Sequence, residues 1–169
     1  MQNKIFLDTD IVLDLLLDNR ENSKSTQDFL LNYLNDDTLL VISSSSLDAI
    51  YIEGSKNDQI NETIELLNEI VSSKELWQII DPSVRERGFA LDYIEKNGSG
   101  NYEDLKQYFC ALDSSCSMII TNNVNFPQLD LKIIRTNESL ENFENRDRRV
   151  EDKEEKKGFF GNLFGNLFK

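Results

Sequence analysis

The sequence contains no histidine. That absence excludes Ser-His-Asp and Cys-His nucleophilic machinery, and it removes the commonest zinc ligand. Cysteine is scarce too: Cys110 and Cys116 are the two thiols. At that spacing on one helix they would not face each other. They read as small buried hydrophobes in a reducing compartment, not as a disulfide or a metal pair. Long apolar runs are also missing. None approaches the roughly 20 residues that span a bilayer, and the opening "KIFL" is followed at once by acids, which does not read as a signal peptide. Finally, positive charge is in deficit, with a formal net charge of −13. A free nucleic-acid binder usually shows a basic face, because phosphate neutralisation supplies most non-specific affinity. This chain must therefore carry a local basic patch, work through metal ions, or bind nucleic acid weakly.

What is present suits one soluble domain with a sizeable core: 169 residues, 39% hydrophobic and 29% charged. Short apolar runs alternate with amphipathic stretches. "KIFL" (4–7), "TLLVIS" (38–43), "LWQII" (76–80), "CSMIIT" (116–121) and "LKIIRT" (131–136) read as strands. Helices are expected over 10–18, 23–35, 45–56, 57–73, 83–95 and 102–115, with a short one at "NESLENF". In the second, Phe29, Leu30, Tyr33 and Leu34 share a face. In the fourth, Ile60, Ile64, Leu67 and Ile70 form the stripe. Trp77 reads as core. Strands separated by one or two helices predict a parallel sheet covered on both faces. Function in such sheets gathers at the carboxyl ends of the strands, where Asp8, Asn122 and Asn123 stand.

The opening stretch "KIFLDTDIVLDLLLD" sets Asp8, Asp10 and Asp14 where a buried strand turns into a buried helix. Burying an ionised carboxylate is costly unless something pairs with it. Asp48 begins the helix after the second strand, and Asp104 begins the helix after "NGSG". In a right-handed parallel sheet those ends converge on one edge. A hard divalent cation would hold converging carboxylates that lack Lys or Arg partners. Helix capping and the helix dipole are the alternative explanation for each of them.

These blocks resemble the PIN-domain family. "KIFLDTDIVLDLLLD" is similar to its opening strand–Asp–Thr–Asn/Asp–helix motif, with Asp8 as the first acid and Asp10 next. "ISSSSLDAIYI" resembles the second block, with Asp48 as its acid. "NYEDLKQYFCALDSSCSMIITNNVNFP" resembles the third, with Asp104 as its acid. The resemblance covers about residues 3 to 140 and implies a three-layer α/β/α fold with a parallel sheet of about five strands. It further implies an Mg²⁺- or Mn²⁺-dependent ribonuclease, similar to VapC-type toxins of toxin–antitoxin pairs, working in the cytoplasm. Asp8, Asp48 and Asp104 would be catalytic and would hold the metal. Asp10, Thr121 and Asn123 would support the site or the substrate. RNA as substrate, an antitoxin protein and a homodimer are the partners it opens.

Two departures stand out. Asn123 occupies the place of a fourth acid, so it can offer an amide oxygen but no negative charge. The Arg that often follows the Thr is missing, and one phosphate contact goes with it. A PIN fold that no longer cleaves and acts as a binding or scaffolding module is the competing reading.

The composition changes after about residue 143. Residues 1–143 form the PIN-like domain, 144–157 a flexible charged linker, and 158–169 an apolar tail, "GFFGNLFGNLFK". A helix there would gather Phe159, Phe160, Leu163, Phe164, Leu167 and Phe168 on one stripe, although its glycines oppose helix formation. Three roles compete: docking on its own domain, weak in-plane attachment at the inner membrane face, or a motif for a partner groove.

Overall fold

Side-chain alternation along the strands decides the layers. In the computed structural model, which describes residues 3–34 and 37–137, five strands and six helices follow in the order β1 (Asn3–Leu7), α1 (Thr9–Leu16), α2 (Ser23–Tyr33), β2 (Thr38–Ser43), α3 (Ser44–Lys56), α4 (Ile60–Ser72), β3 (Trp77–Ile80), α5 (Val84–Asn97), α6 (Tyr102–Asp113), β4 (Met118–Ile120) and β5 (Lys132–Ile134). Ile5, Leu7, Leu40, Ile42, Met118 and Ile120 point to one side of the sheet. Their neighbours Phe6, Val41 and Ile119 point to the other. This is the period-two pleat of a strand buried on both faces. The first side is covered by apolar residues of α1 to α4, among them Ile11, Leu15, Phe29, Leu30, Ile50 and Leu66. The second is covered by Tyr108, Cys110 and Ala111 of α6, with α5 packed outside it through Phe89 on Phe109, ring centroids 5.5 Å apart. The expected three-layer arrangement is therefore observed.

The sheet is parallel throughout, in the order β3-β2-β1-β4-β5. The chain builds outward from β1 in one direction, then returns to β1's other side with β4. That reversal puts a crevice beyond the carboxyl ends of β1 and β4. Asp8 and Thr121 are the first residues past those ends.

Most elements fall within one or two residues of the sequence expectation. The stripe of α4 departs at one position, while Leu67 and Ile70 pack on the core as expected. Ile64 is 45% exposed, while Thr63, Leu66 and Ile70 face inward. Gly54 explains the departure. A Cβ placed on it would stand 1.8 Å from Thr63 Oγ1, so α3 and α4 meet at closest approach along a Gly–Thr contact. Apolar periodicity carries no signal of that contact. The two thiols are free and buried, as expected of small hydrophobes. Trp77 is buried. The linker, the tail with Phe159 to Phe168, and most of "NESLENF" lie outside the described residues.

Candidate active site

Asp8 is built in by its position. It ends β1 in register with β4, its N–H donating to Ile120 O at 3.0 Å, and it caps α1. Its carboxylate accepts from Thr9 N at 2.7 Å and from Thr121 Oγ1 at 2.7 Å. Asp8 is 4% exposed. Desolvation raises its pKa despite those two donors.

Asp10 lies in the first turn of α1. One carboxylate oxygen accepts from Asn122 N at 2.9 Å. The other, Oδ1, is buried with no donor. Burial first, then the negative charge of Asp8, push its pKa up to about 8.

Asp104 comes from the opposite face of the sheet. Asn101 caps α6, its side chain accepting from Glu103 N at 2.9 Å and from Asp104 N at 3.2 Å. This fixes the helix start that carries Asp104. Burial and the charge of Asp8 raise the pKa of Asp104 to about 6. Asn123 donates Nδ2 to Asp104 Oδ2 at 2.9 Å, while its amide oxygen accepts from Asn125 N at 2.9 Å. The sequence suggested an amide oxygen free for a cation. Here that oxygen is turned into its own loop, and the amide acts as a donor to Asp104.

Behind these groups sits a polar cluster that the sequence reading did not assemble. Asp14, one helical turn beyond Asp10, is 1% exposed. Its Oδ1 accepts from Arg20 Nε at 2.6 Å, and its Oδ2 from Asn122 Nδ2 at 2.8 Å and Thr26 Oγ1 at 3.1 Å. Asn122 Oδ1 in turn accepts from Thr136 N and Thr136 Oγ1 at 3.0 and 2.9 Å. Asn122 thus ties the end of β4 to α1, α2 and the end of β5. The available signal was an Asp four places after Asp10 in the otherwise apolar helix "DIVLDLLL". Gln107, also buried, stands one turn after Asp104 and favours the charged form of Asp8.

The structure therefore brings Asp8, Asp10, Asp104, Thr121 and Asn123 together. It leaves Asp48 exposed on α3, with no hydrogen bond or ion pair to the other three acids among the described residues. The serine that reaches inward from α3 is Ser46, which accepts from Thr9 Oγ1 at 2.7 Å.

The donor chemistry fits a hard divalent cation. Asp8 and Asp104 are buried and Asp10 is half-buried, the charge of Asp8 repels both of the others, one oxygen lacks any donor, and no described Lys or Arg pairs with them. Among the described residues no three acidic, cysteine or histidine groups are gathered closely enough to enclose an ion. An ion held by one or two carboxylates and completed by water, the habit of Mg²⁺, matches that arrangement.

No family model matches the chain. In sequence it is similar to "Ribonuclease VapC1" of Aquifex aeolicus (strain VF5), 26% identical over 141 residues, which span 82% of this chain and 94% of that protein. In fold it is similar to VapBC2 from Rickettsia felis, solved bound to a DNA fragment from their promoter, with a TM-score of 0.55 and 21% identity over 78% of this chain and 98% of that one. A toxin–antitoxin complex from Klebsiella pneumoniae gives a TM-score of 0.57 at 16% identity, covering 78% and 97%. The resemblance read from the sequence holds: the fold is PIN-like, and the chain is similar to VapC-type proteins.

Proposed function

We propose that this chain is an Mg²⁺- or Mn²⁺-dependent ribonuclease that hydrolyses RNA phosphodiester bonds as the toxin of a toxin–antitoxin pair. The observation that carries the reading is the set Asp8, Asp10 and Asp104 at the switch point of the sheet, with the buried Asp10 Oδ1 lacking a donor. The similarity to a protein named a ribonuclease over most of both chains supports RNA as substrate. The fold shared with a toxin–antitoxin complex supports a small protein partner. RNA as target would place the work in the cytoplasm.

Asp8 and Asp104 would hold the cation, with Asp10 beside them. A bound Mg²⁺ or Mn²⁺ lowers the pKa of a water and neutralises charge on the phosphodiester. The remaining work falls to the chain. Thr121 and Thr9 fix the rotamer of Asp8 through both of its oxygens. Asn123 turns Asp104 by holding one oxygen. Gln107 meets Asp8 from α6. Burial and the charge of Asp8 favour the protonated form of Asp10, which limits the charge in the free site. Asp48, exposed on α3, is assigned the orientation of water.

The test is cleavage of total RNA by purified protein with Mn²⁺, with EDTA, and with Asp8→Asn. The reading expects cleavage in the first case only. Cleavage that survives Asp8→Asn would overturn the site assignment.

One observation favours the second reading, a binding module that no longer cleaves: the amide oxygen of Asn123 is turned to Asn125 and away from the acids. In that case the tail residues Phe159, Phe160, Leu163, Phe164, Leu167 and Phe168 would carry the interaction, in a partner groove or at a membrane surface. Deleting 158–169 and following vesicle co-sedimentation checks the membrane role, and an unchanged partition removes it.

A further inference from the structure

The acidic chain needs a basic contact for a phosphate backbone, and the Arg common in the third block is absent. Arg20 lies in the turn between α1 and α2, with its own N–H on Leu17 O at 3.1 Å and its carbonyl accepting from Ser23 N at 3.1 Å. Its Nε donates to Asp14 Oδ1 at 2.6 Å. Of the described ion pairs, this one alone uses a buried carboxylate: Asp14 is 1% exposed, whereas the acids of the other three pairs are at least 40% exposed. The pairing engages only the inner nitrogen. Both Nη groups are without a partner among the described residues, and the side chain is 35% exposed.

Asp14 is also the link to the carboxylates. Its other oxygen accepts from Asn122 Nδ2, and Asn122 N donates to Asp10. Asp10 and Asp14 are neighbours on one helix face, with Cβ atoms about 5–6 Å apart. A guanidinium bonded at Nε keeps a planar pair of donors for a second anion, the geometry that suits a phosphate. Its entropy of fixation is already spent in the free protein.

We infer that Arg20 is a contact for the RNA backbone phosphate, held in place by Asp14, which Asn122 links to Asp10. This rests on the ribonuclease reading above and names the group that meets the substrate strand. The sequence departure is thereby explained: the basic contact missing after Thr121 is supplied from the α1–α2 turn. The contact reads charge and not sequence, since phosphate contacts position without specifying.

The test uses the full chain, a 5′-fluorescein-labelled single-stranded RNA of mixed sequence, and Ca²⁺ in place of Mn²⁺ to fill oxygen sites. Binding is followed by anisotropy across a KCl series. Arg20→Gln should weaken binding about tenfold and make the slope of log affinity against log salt shallower by about 0.7, one single-strand phosphate contact. Arg20→Lys should keep most of the slope. Each variant should retain the wild-type melting rise with Mn²⁺. Removing Arg20 leaves Asp14 buried and unpaired, so Asp14→Asn/Arg20→Gln is measured alongside, with the same loss expected. Equal affinity and slope in wild type and Arg20→Gln would overturn the assignment while leaving the ribonuclease reading intact. Loss of the Mn²⁺ rise together with RNA affinity would also overturn it, because Arg20 would then act only by holding the site. Wild type that binds no RNA would overturn both.

Discussion

Asn123 donates its amide to Asp104 Oδ2 at 2.9 Å. At the mouth of an acidic crevice this is a neutral donor where another carboxylate would repel. Asn123→Asp removes the donor and adds a like charge. The metal-free protein at pH 8 should lose about 1–3 kcal/mol, read as a lower urea midpoint. With millimolar Mn²⁺ the order should reverse, since the variant offers the cation one more charged ligand. A variant less stable than wild type in both conditions would show that the loop cannot present the acid to the site.

The raised pKa values fix the sign of a pH dependence. Asp10 and Asp104 bind protons more tightly folded than unfolded, at about 8 and about 6 against 3.8. Their contribution is fully present below pH 3.8. It is lost as pH rises through about 6 for Asp104 and about 8 for Asp10. Stability of the metal-free chain should therefore fall between about pH 4 and pH 8, by a few kcal/mol, and Asp10→Asn should flatten the upper part. Denaturation midpoints across that range check it. The melting rise with Mn²⁺ should grow over the same interval, because ligands must lose their protons to bind.

Gly54 meets Thr63 with no room for a methyl group. Gly54→Ala should cost about 1–3 kcal/mol as overpacking, although alanine is the better helix former. Thr63→Ala in the same chain should recover most of the loss, measured as a double-mutant cycle. A neutral Gly54→Ala would mean that α3 and α4 separate freely.

The fold was legible because each strand is a short apolar run bounded by amphipathic segments, and parallel sheets need just that pattern. Asp8 was legible because an acid that ends a buried strand and begins a buried helix must be capping, holding a cation, or both. What escaped follows from contacts between distant segments. The inward place of Thr63 on α4 is set by Gly54, not by the helix's own apolar residues. The roles of Asn122 and Asn123 differ by one position just past the end of β4, where their side chains take different partners. One fastens Asp14, and the other orients Asp104. Asp48 has the position of a site acid in sequence, but Ser46 is the α3 residue facing Thr9. Asp14 was visible as a carboxylate in an apolar helix. Its partner Arg20 was not, because the pair closes through a turn.

The most direct measurement is the melting temperature of wild type and of Asp8→Asn/Asp104→Asn, each with and without millimolar Mn²⁺. A ligand bound only by the native state raises the melting point by linkage. The account predicts a rise for wild type and none for the double variant. No rise in wild type, or an equal rise in both, would contradict a metal site at these carboxylates.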